Sequence, residues 1–267
     1  MTKKKRQQHR LIIIFSCVIL AIVFAVVFSF THLRENQPVH YVTVSQLNQT
    51  TFNHSGWYYD GRNWAYVRNR HKVTGSLTIN GVHYRFNHNG IQELPYQVNY
   101  QYELSPNQGS NQQAYSSYII LHDVGSNSNG QQAAAYMQRT ANSNQAYANF
   151  VVGDGGVVYQ IKQPGTVSWG AGIEANNNAP VQIELAHTNN DETFQKDYQA
   201  YVALARDLAG KYNIPLTLDQ GGRGTRGIKS HLWVTQHLWG DHHDPYEYLQ
   251  KFGVTKSRLE SDLKSGF

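Results

Sequence analysis

Twenty consecutive residues, Leu11–Phe30 (LIIIFSCVILAIVFAVVFSF), carry no charge, and only Ser16 and Ser29 among them bear a hydroxyl. A helix of that length is about 30 Å long, the thickness of a bilayer's hydrocarbon core. Lys3, Lys4, Lys5, Arg6 and Arg10 stand in front of it, and the positive-inside rule keeps that end in the cytoplasm and sends everything after Thr31 outside. A cleaved signal peptide has a shorter apolar region that ends in small residues of A-x-A type. Here the stretch ends FSFTHLREN, so an uncleaved signal anchor is expected. The chain is thereby divided into a basic head (1–10), a membrane span (11–30) and an outer part that must fold in a different solvent.

Charge and cysteine usage narrow what the outer part is. Without the five basic residues of the head, the 23 Lys and Arg become 18, balanced by 18 Asp and Glu. The net charge of +5 therefore belongs to the head, and no basic footprint for nucleic acid remains. The sole cysteine, Cys17, lies within the apolar stretch, so neither a disulfide framework nor a cysteine nucleophile is available outside.

Residues 31–53, rich in Asn, Gln and Thr, read as a polar stalk. From 54 to 93 the texture changes. Trp57, Tyr58, Tyr59, Trp64, Tyr66, Tyr84 and Phe86 are punctuated by Asp60-Gly61, Thr74-Gly75, Asn80-Gly81 and Asn89-Gly90, the pattern of short β-hairpins. This stretch resembles the aromatic, glycine-punctuated repeats with which bacterial surface proteins bind cell-wall polymers or glucans. Its rings either stack on sugars or pack on one another in a small spacer. Residues 94–116 read as a linker.

Residues 117–254 carry an α/β pattern. YIILH, ending at His122, is a buried strand; Gln131–Thr140 is an alanine-rich helix; ANFVVGDGGVVYQI is a hairpin about Asp154-Gly155-Gly156. In the strand VQIELAH, Val181, Ile183 and Leu185 share one face, and Gln182 and Glu184 share the other. Phe194, Tyr198, Val202, Ala205 and Tyr212 recur at three- and four-residue spacing, which predicts a helix over Thr193–Tyr212 capped by Asn190 or Asp191. Ser230 caps a further helix, and Pro245 begins a short one. Residues 255–267 form a polar, amphipathic tail.

The chemistry concentrates in Ser230–Pro245, SHLWVTQHLWGDHHDP, which holds four histidines and two aspartates. Neutral imidazole and carboxylate are the usual ligands of catalytic zinc, which takes three protein ligands and keeps one position open for water. His231 and Asp244 are candidate ligands, with His122 as the upstream third. Glu184 is a candidate base, and a carboxyl on a covered sheet face has its pKa raised by desolvation. His242, two residues before Asp244, is placed to donate to an oxyanion. His243 and His237 point elsewhere, and strand alternation separates His187 from Glu184.

Together His122 at a strand end, FVVGDGGVVYQ, VSWGAG, VQIELA and SH…DHHDP occur in an order that resembles the type 2 N-acetylmuramoyl-L-alanine amidases, zinc amidases related to the peptidoglycan recognition proteins. The resemblance covers roughly Tyr118 to Gly253. It implies a mixed β-sheet flanked by helices, with Zn2+ in a surface groove, held by His122, His231 and Asp244. It also implies hydrolysis of the amide between N-acetylmuramic acid and L-alanine of peptidoglycan, with Glu184 as the catalytic acid and base and His242 holding the oxyanion. Asn149 and Trp169 are candidates for lining the substrate groove, with Asn176–Asn178 beside them. Many members carry histidine where this chain has Asn149 and Gly170. The expected role is wall remodelling or cell separation from the outer face of the membrane. The alternatives are a muropeptide-binding surface protein without activity and a zinc peptidase that cuts within the stem peptide.

Overall fold

The computed structural model describes residues 39–267, which form one compact unit. The expected membrane span at 11–30 and its basic head lie outside the described residues. Among the described residues no helix is long and apolar enough to cross a membrane.

Asn-Gly and Asp-Gly steps set the N-terminal layer. β1 (His40–Tyr41), α1 (Val44–Leu47), β2 (Gly56–Tyr59), β3 (Trp64–Arg68) and β4 (His71–Lys72) precede the hairpin of β5 (Gly75–Ile79) and β6 (Val82–Phe86). β1 to β4 form one sheet, and β5 and β6 pair antiparallel. Asn80 and Gly81 both adopt positive φ, 50° and 78°, the turn whose twist matches a two-residue hairpin.

The main sheet follows. Its strands are β7 (Gln97–Asn99), β8 (Tyr118–Asp123), β9 (Phe150–Gly153), β10 (Val157–Gln160), β11 (Val181–Leu185) and β12 (Gly227–Ser230). They lie in the order β12-β8-β11-β9-β10-β7, and β9–β10 is the antiparallel pair in an otherwise parallel sheet. The helices are α2 (Gly130–Asn144), α3 (Ile173–Asn178), α4 (Asp191–Lys211), α5 (His231–His237), α6 (Tyr246–Lys251) and α7 (Lys256–Ser265). The expected mixed sheet flanked by helices is the observed one.

Side-chain alternation sorts the layers. Ile119 and Leu121 of β8, with Val181, Ile183 and Leu185 of β11, share a core with α4. Ile120, on the opposite face, packs with Trp233 and Val234 of α5 and Ala175 of α3. His122 and Glu184 therefore emerge on the α5 side, and the register pairs them directly across β8 and β11.

The N-terminal aromatics do not form a separate platform. Trp57, Tyr59, Trp64, Tyr84 and Phe86 are buried in the same core as Leu204, Ala205 and Leu208 of α4. At roughly 1.5–3 kcal/mol per buried large apolar side chain, this coat contributes substantially to holding α4 in place. α4 is thus covered on both sides, and even Asp207, Gly210 and Lys211 are buried. The close approach depends on Gly210, because a Cβ there would collide with the Tyr84 hydroxyl, which donates to the Asp207 carbonyl. These five rings, and Tyr58, are buried, in keeping with the alternative in which the aromatics pack within the fold and do not stand open to sugars.

The described residues of the segments read as stalk, linker and amphipathic tail pack on the rest of the unit. Leu47 and Phe52 pack with Tyr58, Ala65 and Val67, and the Tyr41 hydroxyl meets that of Tyr212 at 2.7 Å. In the stretch expected as linker, β7 extends the main sheet, and Leu104 N–H donates to the Ile161 carbonyl. At the C-terminus α7 buries Leu259 and Leu263, and Tyr198 of α4 donates to Asp262. In each case a few apolar residues spaced among polar ones suffice to dock the segment.

Candidate metal centre

Three local devices bring the site together. His122 closes β8, where parallel pairing with β11 fixes its height in the sheet. His231 is the first residue of α5, and the Ser230 side chain caps that helix by accepting from Trp233 N–H. Asp219 holds the cap, accepting from Ser230 N–H at 2.7 Å and Ser230 Oγ at 2.8 Å; the Tyr246 hydroxyl and Lys256 Nζ donate to the same carboxylate. Asp244 lies between α5 and α6. Its carbonyl accepts from Leu232 N–H, and its carboxylate accepts from Asp123 N–H at 3.3 Å.

His122 Nδ1 lies 3.0 Å from His231 Nδ1 and 3.4 Å from Asp244 Oδ2, and His231 Nδ1 lies 3.3 Å from Asp244 Oδ1. A tetrahedral ion with bonds of about 2.0–2.1 Å has ligand atoms about 3.3 Å apart. The donor set, its spacing and its burial all fit zinc, and these three residues form a candidate metal group.

The electrostatics point the same way. Burial alone would raise Asp244, but hydrogen bonds with His122 and His231 hold its carboxyl far below the usual range. Burial would lower His122, yet Asp244 and Glu184 outweigh it and raise this imidazole. His231 is pushed down to about 4 by burial and by the neighbouring His122. The pocket of carboxylates favours a cation between the ligands.

Glu184 faces this cluster. Its Oε2 is buried and has no hydrogen-bond partner among the described residues. Desolvation pushes its carboxyl up to about 8, opposed by His122 and assisted by Asp244 and Asp123. An uncompensated buried carboxyl oxygen is costly, and a site for proton exchange is one reason to keep one. His242, exposed, stacks on His231 with centroids 4.2 Å apart and reaches Asp244 Oδ1 at 3.4 Å.

Gln182 was not singled out by the sequence. It is fully buried, and its Oε1 lies 3.0 Å from His122 Nε2. An amide oxygen only accepts, so His122 donates from Nε2 and its Nδ1 is directed at the cluster. Gln182 is itself held, because its Nε2 donates to Asn176 Oδ1 and its backbone N–H to Asn149 Oδ1. A side chain at position 170 would collide with Gln182 Oε1. Gly170 therefore leaves the space in which Gln182 orients His122. The signal was present, since Gln182 stands two residues before Glu184 on the same strand face. The Tyr201 hydroxyl, donating to the His122 carbonyl at 2.9 Å, is a further support from α4.

One candidate groove residue, Asn149, is placed differently from expectation. Asn149 is fully buried: its Oδ1 also accepts from Ser168, and its Nδ2 donates to the Thr166 carbonyl. It braces Gln182 and has no surface to offer a substrate. Trp169 is partly buried against Tyr147, edge to face at 5.1 Å. Asn176–Asn178 belongs to α3, and Asn176 Oδ1 accepts from Ala171 N–H. His187 pairs with Asp123 at 2.7 Å and stacks on Tyr248, apart from Glu184 as strand alternation required. A cavity of about 670 Å³ lies between β6, α4 and the C-terminal residues. It is on the α4 side of the sheet, opposite the histidine cluster.

A family model described as N-acetylmuramoyl-L-alanine amidase matches residues 111–247. The endolysin of Listeria phage A511 is 44% identical over 149 residues, 55% of this chain and 43% of that protein. The lytic amidase of Streptococcus pneumoniae phage HB-3 is 33% identical over 157 residues, 55% of this chain and 47% of that protein. The chain spans less than half the length of these two relatives. Among solved structures, the Staphylococcus aureus hydrolase AmiA, in complex with its ligand, shares the fold with a TM-score of 0.56 at 20% identity, over 65% of this chain and 83% of that one.

Proposed function

The chain belongs to the N-acetylmuramoyl-L-alanine amidase family, and from that premise we propose that it hydrolyses, with zinc, the amide joining the lactyl group of N-acetylmuramic acid to L-alanine of the peptidoglycan stem peptide. The observation that carries the reading is the convergence of His122, His231 and Asp244 beside a buried Glu184 oxygen that no described residue satisfies. When bound by those three side chains, zinc supplies Lewis acidity to a carbonyl and makes a water more acidic. The protein's own groups do the rest. The Glu184 carboxylate accepts the proton of the attacking water and returns it to the departing L-alanine nitrogen, a role suited to a carboxyl raised toward neutrality. His242 donates a hydrogen bond to the oxygen that becomes negative at the tetrahedral carbon. Gln182 keeps His122 turned with Nδ1 inward.

The uncharged stretch 11–30 with its basic flank supports a location on the outer face of the cytoplasmic membrane, where such cleavage serves wall remodelling or cell separation. The test is digestion of purified peptidoglycan by the full chain, with and without chelator, followed by mass spectrometry. Stem peptides with free L-alanine amino termini, absent after chelation, are expected. Binding without release would leave a muropeptide receptor, and cleavage between stem residues would leave a peptidase.

A further inference from the structure

Beside the metal site the molecule exposes apolar surface that its own packing does not explain. Trp239, just beyond α5, is 72% exposed, and Ile173, the first residue of α3, is 83% exposed. Gly172 joins them. It adopts a φ of 79°, and a Cβ there would lie 2.8 Å from Trp239 Cε3. The indole therefore rests on bare backbone immediately before Ile173. The two ends of this patch lead to the two histidine ligands, one to the back of His122 and one to His231. A Cβ at Gly170, two residues before Gly172, would be 3.6 Å from His122 Nε2. His242, three residues after Trp239, stacks on His231. Trp57, Trp64 and Trp233 are buried and Trp169 partly so, which leaves Trp239 as the indole offered to solvent. Exposed apolar surface grouped at the rim of a polar site marks a ligand contact.

We propose that Trp239 and Ile173 form the subsite for the amino-sugar ring of the substrate, resting on the amidase reading above. The substrate's chemistry chooses this occupant. On one side of the scissile amide the stem peptide begins with alanine, whose methyl group offers little to an indole. On the other side is an N-acetylated pyranose, whose C–H face and acetamido methyl match a flat aromatic surface and a branched aliphatic neighbour.

The test compares the full chain with its Trp239→Ala, Ile173→Ala and Trp239→Phe variants, each loaded with zinc. The two substrates are a glycan-bearing muropeptide and a lactyl-peptide of the same sequence without sugar. For Trp239→Ala, KM for the glycan substrate should rise about tenfold relative to KM for the sugar-free one, corresponding to about 1.4 kcal/mol. The loss should fall in KM rather than kcat, with a smaller change for Ile173→Ala and recovery in Trp239→Phe. An equal change on both substrates would assign the patch to the stem peptide, and no change would assign it no substrate; either result overturns the proposal. A fluorescence titration with peptide-free glycan oligomers decides the matter separately. Saturable quenching that Trp239→Phe removes supports the subsite, and its absence in the wild type contradicts it. If the wild type binds glycan but cleaves neither substrate, the amidase reading fails and the subsite stands.

Discussion

Lys211 and Asp207 of α4, set against the histidine cluster, show two ways of burying charge in one molecule. Under the N-terminal hairpins, Lys211 Nζ lies 2.6 Å from Asp207 Oδ2 and 4.2 Å above the Trp64 ring. Gln92 and Tyr96 donate to the same carboxylate, so both of its oxygens are engaged. Burial pushes Lys211 down to about 8 in spite of that partner. On the other side of the sheet, two imidazole nitrogens face each other at 3.0 Å, and Glu184 Oε2 has no partner among the described residues. The first cluster finds its counter-charge within the chain and ties the hairpins to α4. The second leaves a carboxyl oxygen without a partner among the described residues, which the proposed zinc site would explain. Buried charge by itself does not mark a functional site; buried charge left uncompensated does.

The comparison breaks most visibly at Glu184. Glu184→Ala should lower amide hydrolysis by about 10²–10⁴-fold while zinc content, read by elemental analysis, is retained. Retained activity would remove this carboxyl from the chemistry. The opposite pattern is expected for Asp207→Ala. Leaving Lys211 buried without its partner should cost about 3–5 kcal/mol of unfolding free energy, measured in urea, with zinc stoichiometry of the folded protein unchanged.

Much of this contrast was legible in the sequence, and the illegible part has a physical cause. His122, His231, Asp244 and Glu184 could be read because ligand chemistry, strand alternation and a helix cap are local. The apolar stripe of α4 could be read for the same reason. Its second coat could not, because Asp207, Gly210 and Lys211 look like a solvated face until Trp64 and Tyr84 arrive from more than 120 residues away, as the Tyr84–Asp207 bond shows. Asn149, a candidate for lining the substrate groove, is a buried brace, since its partners Ser168 and Gln182 belong to other segments. A glycine-punctuated aromatic stretch carries no sign of whether it closes on itself or on a neighbour.

Proton linkage sharpens the contrast further. Burial pushes the Glu184 carboxyl up to about 8 from its ordinary value of 4.5. Between those values the folded state binds more protons than the unfolded one, so this group's contribution to stability is lost as pH rises through that window. Comparing urea unfolding of metal-free wild type and Glu184→Gln at pH 5 and pH 8 should show the variant losing less on going to pH 8, by on the order of a few kcal/mol. The smallest effect is expected at Gln182, which holds His122 from behind. Gln182→Leu removes the acceptor that orients His122 and should weaken zinc binding by about 10–100-fold, with stoichiometry preserved at saturating metal.

The central claim is that His122, His231 and Asp244 are completed by one divalent cation. Calorimetric titration of the metal-free full chain with zinc tests it most directly, alongside His231→Ala. One ion per chain in the wild type and none at that site in the variant is the predicted result. A wild type that takes up no zinc, or a variant that binds it equally well, would contradict the account.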